Sequence, residues 1–434
     1  MDELTVGLIG LGTVGTGVAR LLTEHRDRLE RRAGRPIRWK WAAVRDPHKP
    51  REIRLDGVRI VQDAGAIVND PEVDVVIEAM GGTEDALRYT LAALDAGKDV
   101  VTANKALIAE HGREVFERAR ETDRAVAFEG SVGGGIPIVQ SLGVALAANQ
   151  VLAIAAILNG TCNFILTRMT AEGLPYEDVL KQAQKLGYAE ADPTLDVDGT
   201  DTAHKLAILA QLAFEADVRL GEIPRQGIDR LQAADIKYAA ELGYAVKLLA
   251  LAKYSPAGLE MRVAPTLVRR GTPLAEVHGP YNAVRVVGDA VGDTLFYGRG
   301  AGSMPTASAV VGDLLQVATG RAAMVSRSRP LWRSTAPAIP IVSPRDVRSR
   351  YYLRFTIADR PGVLGRLAQV LGERGISIAS VIQHEPGEDA PEPSPVPLVI
   401  MTHLAVQADL HAALDVIDRL EVVHAPSVWL GVEE

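Results

Sequence analysis

The sequence predicts an α/β protein in three parts: a doubly wound parallel sheet, a second α/β (α+β) domain, and a small β-α-β-β-α-β module. Three observations predict it. Short apolar runs alternate with helical periods over residues 4–129, the pattern of parallel strands joined by crossover helices. That alternation stops at a glycine-rich turn, SVGGGIP at 131–137, after which longer helices mix with β-prone stretches. A Pro-, Ser- and Arg-rich stretch without period, 330–347, then sets off a final strand–helix–strand–strand–helix–strand order.

Residues 4–10 read as a buried strand, and Val14, Val18, Leu21, Leu22 and Leu29 continue at helical spacing. Strands follow at 39–44 and 73–79, then a helix near 84–96, a strand at 99–102, a helix near 109–122 and a strand at 125–129. In the second part, 151–158 reads as a buried strand, 176–186, 200–215 and 232–242 as helices, and 245–253 as β-prone. Beyond the linker, strands at 350–358, 378–383, 396–406 and 422–432 enclose helices at 363–374 and 408–420. That order is ferredoxin-like. The boundaries expected are a Rossmann-type domain at 1–130, a second domain at 131–325, a linker at 326–348 and the module at 349–434.

Composition narrows the class. A chain of 434 residues with 47% hydrophobic and 24% charged residues builds ordinary globular cores. A net charge of −8, with both signs interspersed, argues against a nucleic-acid or anionic-membrane partner. The lone cysteine, Cys162, cannot form an internal disulfide, which favours a reducing compartment. MDELTVGLIG has no basic n-region, and no apolar run reaches the ~18 residues of a membrane span, so a cytoplasmic protein is expected.

Four motifs carry chemistry. GLGTVG, with Gly10, Gly12, Thr13, Val14 and Gly15, stands between a strand and a helix. There the glycines permit a tight turn, close approach of a pyrophosphate and helix–strand packing. At the end of the second strand, Arg45, with Lys49 nearby, suits the 2′-phosphate of NADP, while Asp46 beside it keeps NAD open. TANK places Lys105 after a strand, at the edge where such sheets bind ligands; a solvated loop lysine stays open. In the acid-rich 187–205 segment, Asp201 and Lys205 stand at i and i+4 on one helix face, with Leu209 and Leu212 continuing the stripe. A half-buried pair of this kind can give a proton to a carbonyl oxygen that receives a hydride; an exposed ion pair is the alternative from spacing alone.

Taken together, GLGTVG, TANK, EGSVGGGIP at 129–137, NGTCNFI at 159–165, GYAEADPTLDVDGTDTAHK at 187–205 and FYGRGAG at 296–302 resemble homoserine dehydrogenases. DRPGVL at 359–364, within the terminal module, resembles an ACT domain, an amino-acid-sensing unit. The resemblance implies NAD(P)H-dependent, reversible reduction of L-aspartate 4-semialdehyde to L-homoserine, in threonine, methionine and isoleucine biosynthesis. It implies that Lys205 is the proton donor, with Asp201 as its partner and a substrate contact. Glu190 would hold the substrate ammonium, Thr161 would line the same pocket, and Lys105 would reach between nicotinamide and substrate. Gly187 and Gly300 would touch the cofactor. Glu129, with the carbonyls of Val132, Gly134 and Ile136, would bind a monovalent cation, Na⁺; a strand-end carboxylate satisfied by backbone N–H groups is the alternative. The second domain would serve catalysis and dimerisation, giving a homodimer or homotetramer. At the ACT turn, Asp359, Gly362 and Val363 offer a helix N-terminus to the carboxylate of an effector, expected to be L-threonine or another end-product amino acid; a module that only dimerises is the alternative.

Two other readings compete. An acylating semialdehyde dehydrogenase needs a catalytic cysteine, and Cys162 follows closely on a strand that reads as buried. A sensor without turnover has no use for the Lys205, Asp201 and Glu190 set.

Overall fold

The computed structural model describes residues 2–51, 53, 55–216, 218–328, 331–332, 339–384 and 395–433. The chain forms two compact units that are interleaved along the sequence. One comprises Met1–Gly160, Asp201–Ile223 and Pro280–Ile339; the other comprises Thr161–Thr200, Pro224–Gly279 and Pro340–Glu434.

The first unit contains a parallel sheet of six strands: β1 Leu4–Ile9, β2 Ile37–Ala43, β3 Arg59–Val61, β4 Val75–Glu78, β5 Asp99–Thr102 and β6 Val126–Ala127. Their order is β3-β2-β1-β4-β5-β6, so the sheet is doubly wound and the strand order reverses beside β1. β1 is buried at every position, which is why LTVGLI shows no polar alternation. Ligands of such sheets lie outside the carboxyl ends of the strands, at that reversal.

Three local expectations change. The helix read through Leu29 is two helices, Thr13–Glu24 and Arg26–Ala33, parted at His25. β3 is short and only partly buried, too brief for a legible period. The helix expected near 109–122 begins at Lys105, because the Asn104 side chain caps it by accepting from the Leu107 N–H at 3.1 Å. Lys105 is therefore a helix N-terminal residue and not a loop lysine.

The remaining strands are β7 Val151–Ile157, β8 Tyr244–Ser255, β9 Gly258–Arg269, β10 Tyr281–Gly288, β11 Gly292–Arg299, β12 Arg348–Ser349, β13 Tyr351–Ala358, β14 Ile378–Gln383, β15 Pro395–Thr402, β16 Ala405–Val406 and β17 Val423–Glu433. In the first unit, β10 runs antiparallel between β7 and β11. The helix Ser303–Ala318 sends Ala307, Val310, Leu314 and Val317 into the same core as Leu4, Val6, Leu8 and Val18. Gly17 permits this approach: a Cβ there would lie 2.8 Å from the Ala307 Cβ. The core of the dinucleotide-type sheet is thus completed from far along the chain.

In the second unit, β8 and β9 form an antiparallel hairpin, and β17 joins β9 in parallel. β17, β13, β15 and β14 then form the antiparallel sheet of the βαββαβ module, with helices Val363–Glu373 and Gln407–Ile417. Leu353, Phe355 and Ile357 of β13 pack with Leu367, Leu371, Leu410 and Ile417 of those helices. The alternating residues Tyr352 and Arg354 instead meet Asp235, on helix Ala233–Glu241. The segment expected as a linker, 326–348, carries regular structure at both ends: helix Arg321–Ser328 runs into it and β12 begins at its end. Its residues 329–330 and 333–338 lie outside the described residues.

Candidate active site

The glycine motif takes the conformation that dinucleotide binding requires. Gly10 has φ +99°, and a Cβ there would lie 2.5 Å from the Ala79 carbonyl oxygen, so only glycine fits. A Cβ on Gly15 would lie 1.9 Å from the Gly10 oxygen, which fixes the close packing of helix Thr13–Glu24 on the turn. Gly12 is the helix N-cap, no side chain caps the helix, and a Cβ on Gly12 would meet nothing within 4 Å. The helix N-terminus, with Thr13 and Val14 in its first turn, thus opens onto free space that suits an anionic group. Arg45 follows β2 and is exposed. The neighbouring Asp46 carboxylate turns back to accept the His48 N–H at 2.9 Å.

At the carboxyl end of the same sheet stands a cluster built on one carboxylate. Asp201, in the first turn of helix Thr200–Phe214, is only 8% exposed. Its Oδ2 accepts from Lys205 Nζ at 2.6 Å and from Asn159 Nδ2 at 2.9 Å. Its Oδ1 lies 3.1 Å from Lys105 Nζ. Burial alone raises a carboxyl pKa, but the charges of Lys205 and Lys105, with the Lys205 and Asn159 hydrogen bonds, hold Asp201 well below the usual range. Lys205 is equally buried and also donates to the Leu158 carbonyl at 2.7 Å. The pair is therefore an interior ion pair and not the exposed one that spacing left open. An ammonium has three N–H donors. Among the described residues, Lys205 spends two of them, on Asp201 and Leu158. Lys105 keeps its side chain 41% exposed. His204, on the same helix, contacts Glu110 at 3.1 Å.

Sequence reasoning named Lys105, Asp201 and Lys205 but not Asn159 or the Leu158 carbonyl. Asn159 opens the NGTCNFI motif, directly after the buried β7, and that placement was the available signal. Thr161, Gly187 and Glu190 belong to the second unit. There the Thr161 hydroxyl donates to the Tyr188 carbonyl at 2.7 Å, and Glu190 is exposed. Gly187 has φ +78°. Gly300, in the first unit, packs on Asn282 so tightly that a Cβ would lie 1.8 Å from its Nδ2.

Glu129 begins a short turn, Glu129–Ser131, after β6. Its two carboxylate oxygens accept the Val139 and Gln140 N–H groups at 2.9 and 2.8 Å, the backbone-satisfied arrangement left open from sequence. Its own N–H donates to Asp313 Oδ2 at 2.7 Å. Burial pushes Glu129 up to about 7, and burial together with the Glu129 charge pushes Asp313 well up. Asp313 was missed by sequence reasoning, although a lone acid in the apolar run AVVGDLLQVA was visible. Two buried acids, Glu129 and Asp313, thus share one desolvated site, each accepting backbone N–H groups. Gly134 has φ +48°. Among the described residues, no group of three or more His, Cys, Asp or Glu side chains forms a metal centre.

Cys162 is buried, with its Sγ 3.2 Å from the Asp196 carbonyl oxygen, which leaves it poorly placed as a nucleophile. In the terminal module, Gly362 is the left-handed N-cap (φ +86°) of the helix that starts at Val363, and the Asp359 carboxylate accepts from Gln383 at 3.1 Å. No described helix is long and apolar enough to cross a membrane.

The chain resembles known proteins over its full length. The family profile described as "Homoserine dehydrogenase, NAD binding domain" matches residues 10–129, "Homoserine dehydrogenase" matches 137–315, and "ACT domain" matches 351–422. The chain is 43% identical to a homoserine dehydrogenase of Pseudomonas aeruginosa and 41% identical to one of Bacillus subtilis; the alignments cover 100% of this chain and 100% and 99% of those proteins. A solved homoserine dehydrogenase from Thiobacillus denitrificans superposes with a TM-score of 0.93 at 42% identity, covering 100% of this chain and 99% of that one. A hyperthermophilic archaeal homoserine dehydrogenase in complex with NADPH matches 76% of this chain and 100% of its own, with a TM-score of 0.61 and 25% identity. The chain belongs to the homoserine dehydrogenase family of NAD(P)-dependent oxidoreductases and carries a C-terminal ACT domain.

Proposed function

We propose that the chain reduces L-aspartate 4-semialdehyde to L-homoserine, preferring NADPH to NADH. The observation that carries the residue assignment is the spare donor of Lys205, an ammonium held by Asp201 and Leu158 with, among the described residues, one N–H still to give. A nicotinamide, when bound, would supply the hydride that the aldehyde carbon receives. Gly10, Gly12, Thr13, Val14 and Gly15, with Gly187 and Gly300, would hold the dinucleotide. Lys205 donates its proton to the aldehyde oxygen as that oxygen gains charge. Asp201 stays ionised throughout and keeps the Lys205 ammonium oriented. Lys105, on the opposite oxygen of Asp201, adds positive charge beside the developing alkoxide. Glu190 takes the substrate ammonium and Thr161 lines that pocket. Glu129, with the carbonyls of Val132, Gly134 and Ile136, would hold a monovalent cation, Na⁺, which would compensate two acids that burial otherwise makes costly.

The exposed Arg45, with Asp46 turned to its own backbone, supports the NADP preference. The archaeal relative solved with NADPH is consistent with it. L-Threonine is the proposed effector, its carboxylate received at the Gly362–Val363 helix N-terminus beside Asp359. The enzyme would serve threonine, methionine and isoleucine synthesis in the cytoplasm as a homodimer or homotetramer. The exposed Leu295 and Tyr297 on β11 offer apolar surface for such assembly.

The test is spectrophotometric: oxidation of NADPH and NADH, in parallel, by the purified protein with L-aspartate 4-semialdehyde. Semialdehyde-dependent oxidation, faster with NADPH, is expected. No oxidation from folded protein would sink the reading. Calorimetric titration with L-threonine should show binding and a matching loss of rate, and silence in both removes the effector proposal.

A further inference from the structure

We infer that Glu78, buried at the end of β4, is a positioning residue for the reaction: it anchors the turn from which Lys105 is presented to Asp201. The inference rests on the proposed role of Lys105.

Glu78 is 1% exposed and closes a strand that is otherwise valine and isoleucine, VVIE. An acid buried among such residues is costly unless it holds something. Glu78 holds two donors. Its Oε1 accepts the Met80 N–H at 2.8 Å, and its Oε2 accepts the Thr102 hydroxyl at 2.5 Å. The Thr102 oxygen in turn accepts the Asn104 N–H at 3.0 Å. The Asn104 side chain donates to the Gly82 carbonyl at 2.7 Å and accepts from the Leu107 N–H at 3.1 Å, capping the helix. Lys105 is the first residue of that helix, and its ammonium lies 3.1 Å from Asp201. A continuous chain of hydrogen bonds therefore runs from Glu78 through Thr102 and Asn104 to the backbone that aims Lys105. The same carboxylate also tethers Met80, so both loops that leave the carboxyl ends of β4 and β5 depend on it.

The chain requires a carboxylate. Met80 N–H and Thr102 O–H are both donors, and an ionised carboxyl accepts both, whereas a protonated one sets its own O–H against them. The polar groups facing Glu78 are the Met80 N–H from the loop after β4, the Thr102 hydroxyl from β5 and the Asn104 side chain from the helix cap; none is charged. Burial pushes Glu78 up to about 7. Its contribution to stability is thus fully present below its ordinary value of 4.5 and is lost as pH rises through about 7. The form that fits the anchor is the form that folding disfavours, so function and stability separate at this residue.

Glu78→Gln in the full-length protein tests this. Rates with L-aspartate 4-semialdehyde and NADPH should fall about tenfold at pH ~8 through kcat, with KM and the NADPH dissociation constant (by fluorescence titration) within roughly twofold. The thermal midpoint at pH ~8 should hold or rise, and the acid limb of the kcat profile near pH ~7 should disappear. Thr102→Val should reproduce the loss and Thr102→Ser should restore most of the rate. In a Lys105→Met background, Glu78→Gln should cost nothing further, since both remove one function. Wild-type kcat and an unchanged acid limb in Glu78→Gln, or a full multiplicative loss in the double variant, overturns the inference. If Glu78→Gln does not fold, Thr102→Val at wild-type rate overturns it equally. Wild-type kcat in Lys105→Met alone would instead overturn the underlying role of Lys105.

Discussion

Asp201 and Asp235 occupy equivalent places in two different helices. Each stands in the first turn, where the helix dipole favours an anion, each is buried, and each holds a cation. Asp235 takes the guanidinium fork of Arg354 with both oxygens, at 2.6 and 3.1 Å, and accepts the Tyr352 hydroxyl at 3.2 Å. Asp201 is served instead by two separate ammonium groups and an amide. A guanidinium cannot give up its proton in a protein and its fork here is engaged, so that pair fastens the ACT sheet to helix Ala233–Glu241 and does no chemistry. Lysine can give up a proton, and Lys205 retains a donor. In both regions a buried carboxylate is paired with a buried cation. What distinguishes the reactive one is unspent hydrogen-bonding capacity on a group that can deprotonate.

The strongest test of that distinction is Lys205→Met. It should lower kcat by about 10²–10⁴-fold while cofactor binding persists, which fluorescence titration with NADPH would report. A rate near wild type would erase the difference between the two regions. Asp235→Ala should instead act on stability, costing ~3–5 kcal/mol by urea denaturation because it strands the buried Arg354 charge. The double change Asp235→Leu with Arg354→Met should recover most of that loss, whereas no apolar replacement of the Asp201 and Lys205 pair should recover activity. Lys105→Met should cost less than Lys205→Met, about tenfold to a hundredfold in kcat, since its side chain is partly exposed and meets Asp201 on one edge only. Arg45→Ala should be milder still, narrowing the NADPH to NADH rate ratio by roughly tenfold with little effect on the NADH rate.

The smallest expected effect is a constancy. Asp201 lies below its ordinary value of 3.8, so the stability it confers is complete above that pH and is lost only as pH falls through the depressed value. The destabilisation caused by Asp201→Asn should therefore be the same at pH ~5 and pH ~8 in denaturant titrations. A difference between those two pH values would mean that the two ammonium groups do not hold the carboxylate as the geometry requires.

Much of this molecule was legible in one dimension because its signals are local. The strand LTVGLI, the glycines that follow it and the β-α-β-β-α-β order of the terminal module depend on periodicity and backbone sterics, which neighbouring residues carry. The i, i+4 spacing of Asp201 and Lys205 was equally local, but it could not say whether the pair faced water or the interior. Tertiary structure decided that, because burial depends on residues such as Leu158 and Asn159 that arrive from a distant strand end. It also decided that helix Ser303–Ala318 completes the N-terminal core, that Glu129 meets Asp313, and that β17 extends the hairpin strand β9. The sequence by itself determined which elements form and which residue types could do the chemistry. Only the fold decided which charges share a desolvated space, because there a charge needs a partner, and Lys205, Asp201 and Asn159 reach one another only once the chain has folded.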